Sequence, residues 1–242
     1  MKPGVVSGTE YQELVAACKA GKYALPAVNV SGSNTINAAL EAASKAKSDI
    51  IIQTSNGGAG FIGGKGMADG HAAMVKGAVV AAQQVNTLAE HYGVCVVLHT
   101  DHANRKLLPW IDGLIEENAA YHKANGRPLF SSHMLDLSEE PIEENVATCR
   151  EYIQRLSELS ISLEIELGVT GGEEDGVGSD DIDDKSKLYT TPEDVWYAYQ
   201  QLDGLGHFSV AAAFGHVHGV YKPGNVTLQP KILTECQDYV EN

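Results

Sequence analysis

The chain has 242 residues, and 17 Lys+Arg against 32 Asp+Glu leave a formal charge of −15. A surface of that sign repels phosphate backbones and acidic lipids, which excludes general nucleic-acid or anionic-membrane binding but leaves room for a small phosphate pocket. Apolar residues at 43% suit a folded chain long enough for a real core, not a disordered one.

In chain order, β-rich runs are expected at Ala24–Val30, Ile50–Thr54, Val94–Leu98, Leu129–Met134, Ser162–Leu167 and Phe208–Phe214. Several are continuous rather than alternating, as strands buried on both faces should be. Helical segments lie between them. Ile142, Val146, Cys149, Ile153, Leu156 and Leu159 recur every three or four residues, so a helix is expected over Ile142–Leu159. Ser138 and Pro141 read as its start signals. Thr191-Pro192-Glu193-Asp194 combines a cap, a first-turn proline and two acids at the positive end of the dipole. A last helix is expected near Pro230–Tyr239.

Strands alternating with helices predict a parallel α/β fold, either an open doubly wound sheet or a closed eight-stranded barrel. No Gly-x-Gly-x-x-Gly follows the first strand. Polar residues instead stand at the ends of many strands, the habit of a TIM (β/α)8 barrel. Six of the eight strand–helix units are counted. No composition break divides the chain, so residues 1–242 are read as one barrel domain, incomplete at its C-terminus.

Four dispersed cysteines, Cys18, Cys95, Cys149 and Cys236, form no metal or redox motif and suggest a reducing compartment, with Cys95 as core packing. No leader core and no run of ~18 apolar residues is read, so a soluble cytoplasmic chain is expected.

Several clusters carry chemistry. His99-Thr100-Asp101-His102 sends an acid and two imidazoles off one strand end, which suits a divalent transition metal or proton transfer; capping of the next helix is the plainer account. His216-Val217-His218 in extended chain puts both rings on one face, half of a metal site or two incidental histidines. Glu164 and Glu166 share one face of an apolar strand, where they need a partner, a metal or a proton. Glu173–Asp184 holds seven acids in twelve residues and is expected to be a mobile lid loop, otherwise a solvated surface. On it, Glu173 and Glu174 sit near the rim, where a base would work once water is excluded. Asn56–Gly60 and Lys222–Asn225 read as glycine-bearing loops, phosphate cradles or plain turns.

In this order and spacing, these motifs resemble the class II, metal-dependent fructose-1,6-bisphosphate aldolases over nearly the whole chain. Leu107–Gly113, Ser131-Ser132-His133-Met134, Thr170–Gly176 and Val217–Asn225 carry the resemblance along with the clusters above. It implies reversible cleavage of fructose 1,6-bisphosphate into dihydroxyacetone phosphate and glyceraldehyde 3-phosphate, in glycolysis and gluconeogenesis. It implies His102 and His218 as zinc ligands and Asp136 and Glu166 at a second, more buried divalent position. Asp101 would be the acid that protonates the aldehyde oxygen in condensation, and Glu174 the base. Asn29, Gln53, Ser55 and Gly219 match substrate-contacting positions, with a monovalent cation near Gly219. The lid resembles the homodimeric subgroup. Tagatose-bisphosphate cleavage is the sister reading, and a metal-dependent barrel hydrolase is the rival from chemistry alone.

The chain departs from that pattern. It starts several residues late and lacks the family's third zinc-binding histidine, in a His-Gly-Gly-Ser-Gly segment, and a later Asn-x-Asp-Thr-Asp segment. It is therefore read as an aldolase fragment or an incomplete reading frame. On its own it is expected to be poorly soluble and inactive, an inactive fragment being the other-class alternative. His216 stands where the family usually has asparagine, as an added ligand or a replacement hydrogen bond.

Overall fold

The short apolar runs become parallel strands because both their faces are buried, one by helices and the other by the strand ring's interior. The computed structural model describes residues 1–170, 172–174, 177–179, 188–219 and 227–241. Its elements are β1 (Gly4–Val5), α1 (Thr9–Gly21), β2 (Ala27–Asn29), α2 (Ser33–Ala46), β3 (Ile50–Thr54), α3 (Asn56–Gly63), α4 (Gly70–Tyr92), β4 (Cys95–Thr100), α5 (Leu108–Asn125), β5 (Ser132–Leu135), α6 (Ile142–Ser157), β6 (Ser162–Leu167), β7 (Gly172–Glu174), β8 (Val177–Ser179), α7 (Pro192–Leu202), β9 (Phe208–Ala212) and α8 (Lys231–Glu241).

Among the described residues, the strands lie in the order β2-β3-β4-β5-β6-β9, all parallel. The order never reverses, so there is no switch point of the doubly wound kind, and the winding is that of a half-built TIM barrel. The six strand–helix units of the sequence reading are these.

Parallel register puts Gln53 beside His99, His99 beside Ser132, and Glu164 beside Met134 and Ser209. These residues share the inner face. Lower on that face Cys95 and Val97 pack with Val6 and Leu14, joined by Tyr11, Leu25 and Ile51, so α1 stoppers the N-terminal end of the ring. On the outer face Ile50, Ile52, Val96 and Leu98 bury against Ile36, Leu40, Val85, Trp110, Leu114 and Ile153 of the helices. Each such fully buried aliphatic contributes roughly 2 kcal/mol.

The differences from expectation have local causes. The fourth run enters the sheet only at Ser132, because Asn118 Oδ1 takes the N–H groups of Leu129 and Phe130 at 3.1 Å each. The first run is confined to Ala27–Asn29, after Pro26, which has no N–H to give. Asn56–Gly60 is not a loop but the start of α3, with Ser55 as its cap, accepting from Gly58 N at 3.1 Å. Its glycines serve helix contact. A Cβ on Gly63 would stand 2.0 Å from Ala73 O, and one on Gly77 of α4 1.8 Å from Ala59 O. Ser138 does not cap α6; its hydroxyl turns to Asp136. Thr191 does cap α7, accepting from Asp194 N at 3.2 Å. Part of the expected lid loop is an antiparallel pair, β7 with β8. Its other residues, 175–176 and 180–184, lie outside the described residues, as does Lys222–Asn225.

Candidate metal centre

The site is built on the C-terminal strand ends, where the ladder stops and side chains face the mouth of the ring. β4 runs further than its apolar residues suggest and carries His99 and Thr100 within it. This separates the two imidazoles of the His99–His102 cluster. His99 stays in the inner layer, its Nδ1 2.7 Å from Ser132 Oγ. His102 leaves the strand end toward β5 and β6. Asp101 is buried beside it and accepts from Asn29 Nδ2 at 2.8 Å.

His102 Nδ1 lies 3.0 Å from Asp136 Oδ2 and 3.0 Å from Glu166 Oε2. Its Nε2 lies 3.9 Å from Asp101 Oδ1, and its ring meets the ring of His218 edge-on at 5.3 Å between centroids. Asp136 follows β5 directly and is fixed by Ser138, whose hydroxyl donates to Asp136 Oδ1 at 2.6 Å. Glu166 is 2% exposed; Thr170 donates to its Oε1 at 2.8 Å and Asn145 to its backbone carbonyl at 3.0 Å.

Burial opposes charge on His102, yet Asp136, Glu166 and Asp101 together outweigh it and push the ring up to about 11. Burial would likewise raise Asp136, but His102 and Ser138 hold it below the usual carboxylate range. Burial wins at Glu166, whose carboxyl is pushed up with Asp136 adding to the effect.

One imidazole nitrogen carries one hydrogen, which the two carboxylates at 3.0 Å can only share. The orphan is Glu166 Oε2, which is buried and has no hydrogen bond. The donor atoms of His102, Asp136 and Glu166 all lie within 4.8 Å of one another. One imidazole and two carboxylates are a nitrogen-and-oxygen set suited to zinc and its first-row neighbours. These residues fit a divalent cation.

The other sequence candidates fall around this cluster. Gln53 accepts Val30 N–H through its carbonyl at 2.9 Å, in register with Asn29 and His99. Ser55 is occupied as the α3 cap. Gly219 is exposed at φ 80° next to His218. Glu173 and Glu174 lie on β7, and their side chains are outside what is described. The sequence reading missed Thr170, which follows Glu166 by four residues. It also mistook Ser138, although Asp136-Leu137-Ser138 has the spacing of an Asx-type turn.

A sheet wound one way, with acids and imidazoles gathered at its C-terminal edge, defines an α/β barrel-type enzyme. The family model described as "Fructose-bisphosphate aldolase class-II" matches residues 9–242. A fructose-bisphosphate aldolase of Haemophilus influenzae is 56% identical over 243 residues, covering 99% of this chain and 67% of the relative. The class 2 enzyme of Escherichia coli K12 is 53% identical with the same coverage. The crystal structure of fructose-bisphosphate aldolase from Campylobacter jejuni superposes with a TM-score of 0.87 at 57% identity, over 100% of this chain and 67% of that one. The chain belongs to the class-II fructose-bisphosphate aldolase family, and it spans about two thirds of the length of these relatives.

Proposed function

We propose that this site carries the reversible aldol cleavage of fructose 1,6-bisphosphate to dihydroxyacetone phosphate and glyceraldehyde 3-phosphate, in glycolysis and gluconeogenesis. The observation that carries the reading is the convergence of His102, Asp136 and Glu166 beside a buried Asp101. A divalent ion, zinc by the family, would supply Lewis acidity where negative charge develops on the substrate oxygens. His102 and His218 would hold it, with Asp136 and Glu166 offering the deeper position.

The protein's own groups divide the proton work. In cleavage the C4 hydroxyl loses its proton as the C3–C4 electron pair moves onto the enediolate fragment. Asp101 takes that proton, and Asn29 holds it in place for the task. Glu174, on the strand pair after β6, returns a proton to C3; in condensation both transfers reverse. Glu173 belongs to the same lid. Gln53, Ser55 and Gly219 line the ring's mouth where the bisphosphate would lie, with a monovalent cation near Gly219.

The same reading takes residues 1–242 as a single barrel domain, and the full-length protein as a homodimer in the cytoplasm. Among the described residues no helix is long and apolar enough to cross a membrane. The test is chelator-sensitive release of triose phosphates from fructose 1,6-bisphosphate, run in parallel with tagatose 1,6-bisphosphate. It is applied to the purified 242-residue chain and to the polypeptide read from its gene. Cleavage that survives exhaustive chelation overturns the metal reading. Preference for tagatose overturns the substrate, and silence from both polypeptides overturns the lyase.

A further inference from the structure

His216 meets the cluster from beyond β9, the strand beside β6, and its role follows from counting hydrogens. Thr170 Oγ1 spends its only hydrogen on Glu166 Oε1 at 2.8 Å. The same oxygen lies 3.5 Å from His216 Nε2, so it accepts there and Nε2 is the protonated nitrogen. The ring is seated against Phe214, centroids 4.6 Å apart. The backbone beneath it is fixed as well. Gly215 stands at φ +91°, and a Cβ there would come within 2.1 Å of Thr227 O. Its N–H donates to Leu188 O at 3.0 Å.

We propose that His216 is a positioning residue for the metal centre: it orients the Thr170 hydroxyl, which fixes one oxygen of Glu166 so that the other is presented to the cation. The inference rests on the reading that His102, Asp136 and Glu166 bind a divalent ion. It gives His216 an outer place, because its Nε2 faces the Thr170 hydroxyl and its ring is seated against Phe214. Glu166 Oε2, buried, without a hydrogen bond of its own and 3.0 Å from His102 Nδ1, is the atom the relay turns toward the cluster. Without His216 the Thr170 hydroxyl can swing to another rotamer, and Glu166 loses the contact that selects between its two oxygens. Outer partners of this kind typically govern about 10–100-fold in metal affinity.

The experiment is calorimetric titration of the metal-stripped chain with Zn²⁺, and with Co²⁺ for its visible absorption bands. H216F, H216Q, T170V and the double variant T170V/H216F are compared with the parent, each checked by its thermal melt. H216F and T170V should each weaken binding about tenfold and alter the Co²⁺ bands. H216Q, which keeps a donor at the same reach, should stay within about threefold of the parent. The double variant should bind as T170V does, because both changes act through one hydroxyl.

H216F binding as tightly as the parent, or losses that add in the double variant, overturns the relay while the metal reading stands. A parent chain that binds neither ion overturns the metal reading and the relay with it. If H216F does not fold, T170V decides: affinity equal to the parent's overturns the proposal.

Discussion

Two histidines, His133 buried on β5 and His102 half-buried just beyond β4, show how the same side chain is made structural in one place and chemical in another. His133 faces outward from β5. Its Nδ1 lies 2.7 Å from Thr100 Oγ1, and Asn118 Nδ2 reaches its Nε2 at 3.0 Å. Because the Asn118 amide donates, Nε2 must accept and Nδ1 must carry the hydrogen. Both nitrogens have neutral partners, and burial with the neighbouring His99 pushes the ring down to about 3. His102 faces three carboxylates, has more acceptors than hydrogens, and is pushed up to about 11. Burial is common to both. What separates them is whether the partners are satisfied by one neutral ring, and only the unsatisfied arrangement calls for a cation.

The comparison breaks most clearly at His102 itself. H102A should abolish high-affinity Zn²⁺ binding in calorimetry, whereas H133Q should leave it intact; equal losses would erase the distinction. D101N should cut cleavage by about 10²–10⁴-fold in whichever polypeptide turns over, with metal affinity changed far less.

Proton linkage gives the two rings opposite signs. A cation must displace the proton held on His102, so Zn²⁺ affinity should rise with pH between 6 and 8, by up to about tenfold per unit. An affinity flat with pH would remove His102 as the group that gives up a proton. His102 stabilises the metal-free fold fully below its unfolded value near 6.5, and that stabilisation is lost as pH rises toward 11. His133 stabilises above its unfolded value, and its contribution is lost as pH falls from there through 3. Urea midpoints should therefore drop between pH 6.5 and 5, where the His102 contribution is already near its full value, and H133Q should shrink that drop. The smallest expected effect is S138A, which removes the hydroxyl bond to Asp136 while keeping the backbone one, and should weaken metal binding several-fold, at the low end for a supporting residue. An unchanged titration would mean that His102 alone orients Asp136.

The fold was legible wherever the chain repeats a rule. Ile50–Thr54 and Ser162–Leu167 match the structure residue for residue, because an apolar run in the first and polar–apolar alternation in the second both suit a strand. Cys95–Thr100 was read short, since His99 and Thr100 look like loop chemistry until Ser132 and His133 on the next strand are seen to pair with them. Asn56–Gly60 was read as a loop on its glycines; the close α3–α4 contact, which Gly63 and Gly77 make possible, is invisible from the segment itself. β1 and α1 were not read at all, being two residues of strand and a helix whose inner contacts lie on β3 and β4.

The site was legible as a set of residues and illegible as an arrangement. Asp101, His102, Asp136 and Glu166 stood at strand ends, and parallel register brings such ends together. That His99 would be turned away, while Thr170 and Ser138 each fix a carboxylate, depends on single hydrogen bonds with no periodic signature. His216 and His218 share the site as the His-x-His spacing suggests, but they meet different neighbours.

The smallest strand ties residues 4–6 to the middle of the chain. Gly4 and Val5 pair with Cys95 and Val96 on the edge of β4 that β5 takes up only from His99 onward. Arg127 reaches Val5 O at 2.6 Å, and Ser131 Oγ donates to Val6 O, closing the seam between them. Residues 4–6 therefore have no berth until β4 and the start of β5 have emerged from the ribosome. Until then a nascent chain must carry this segment unpaired, which is when helper proteins would find the most to hold.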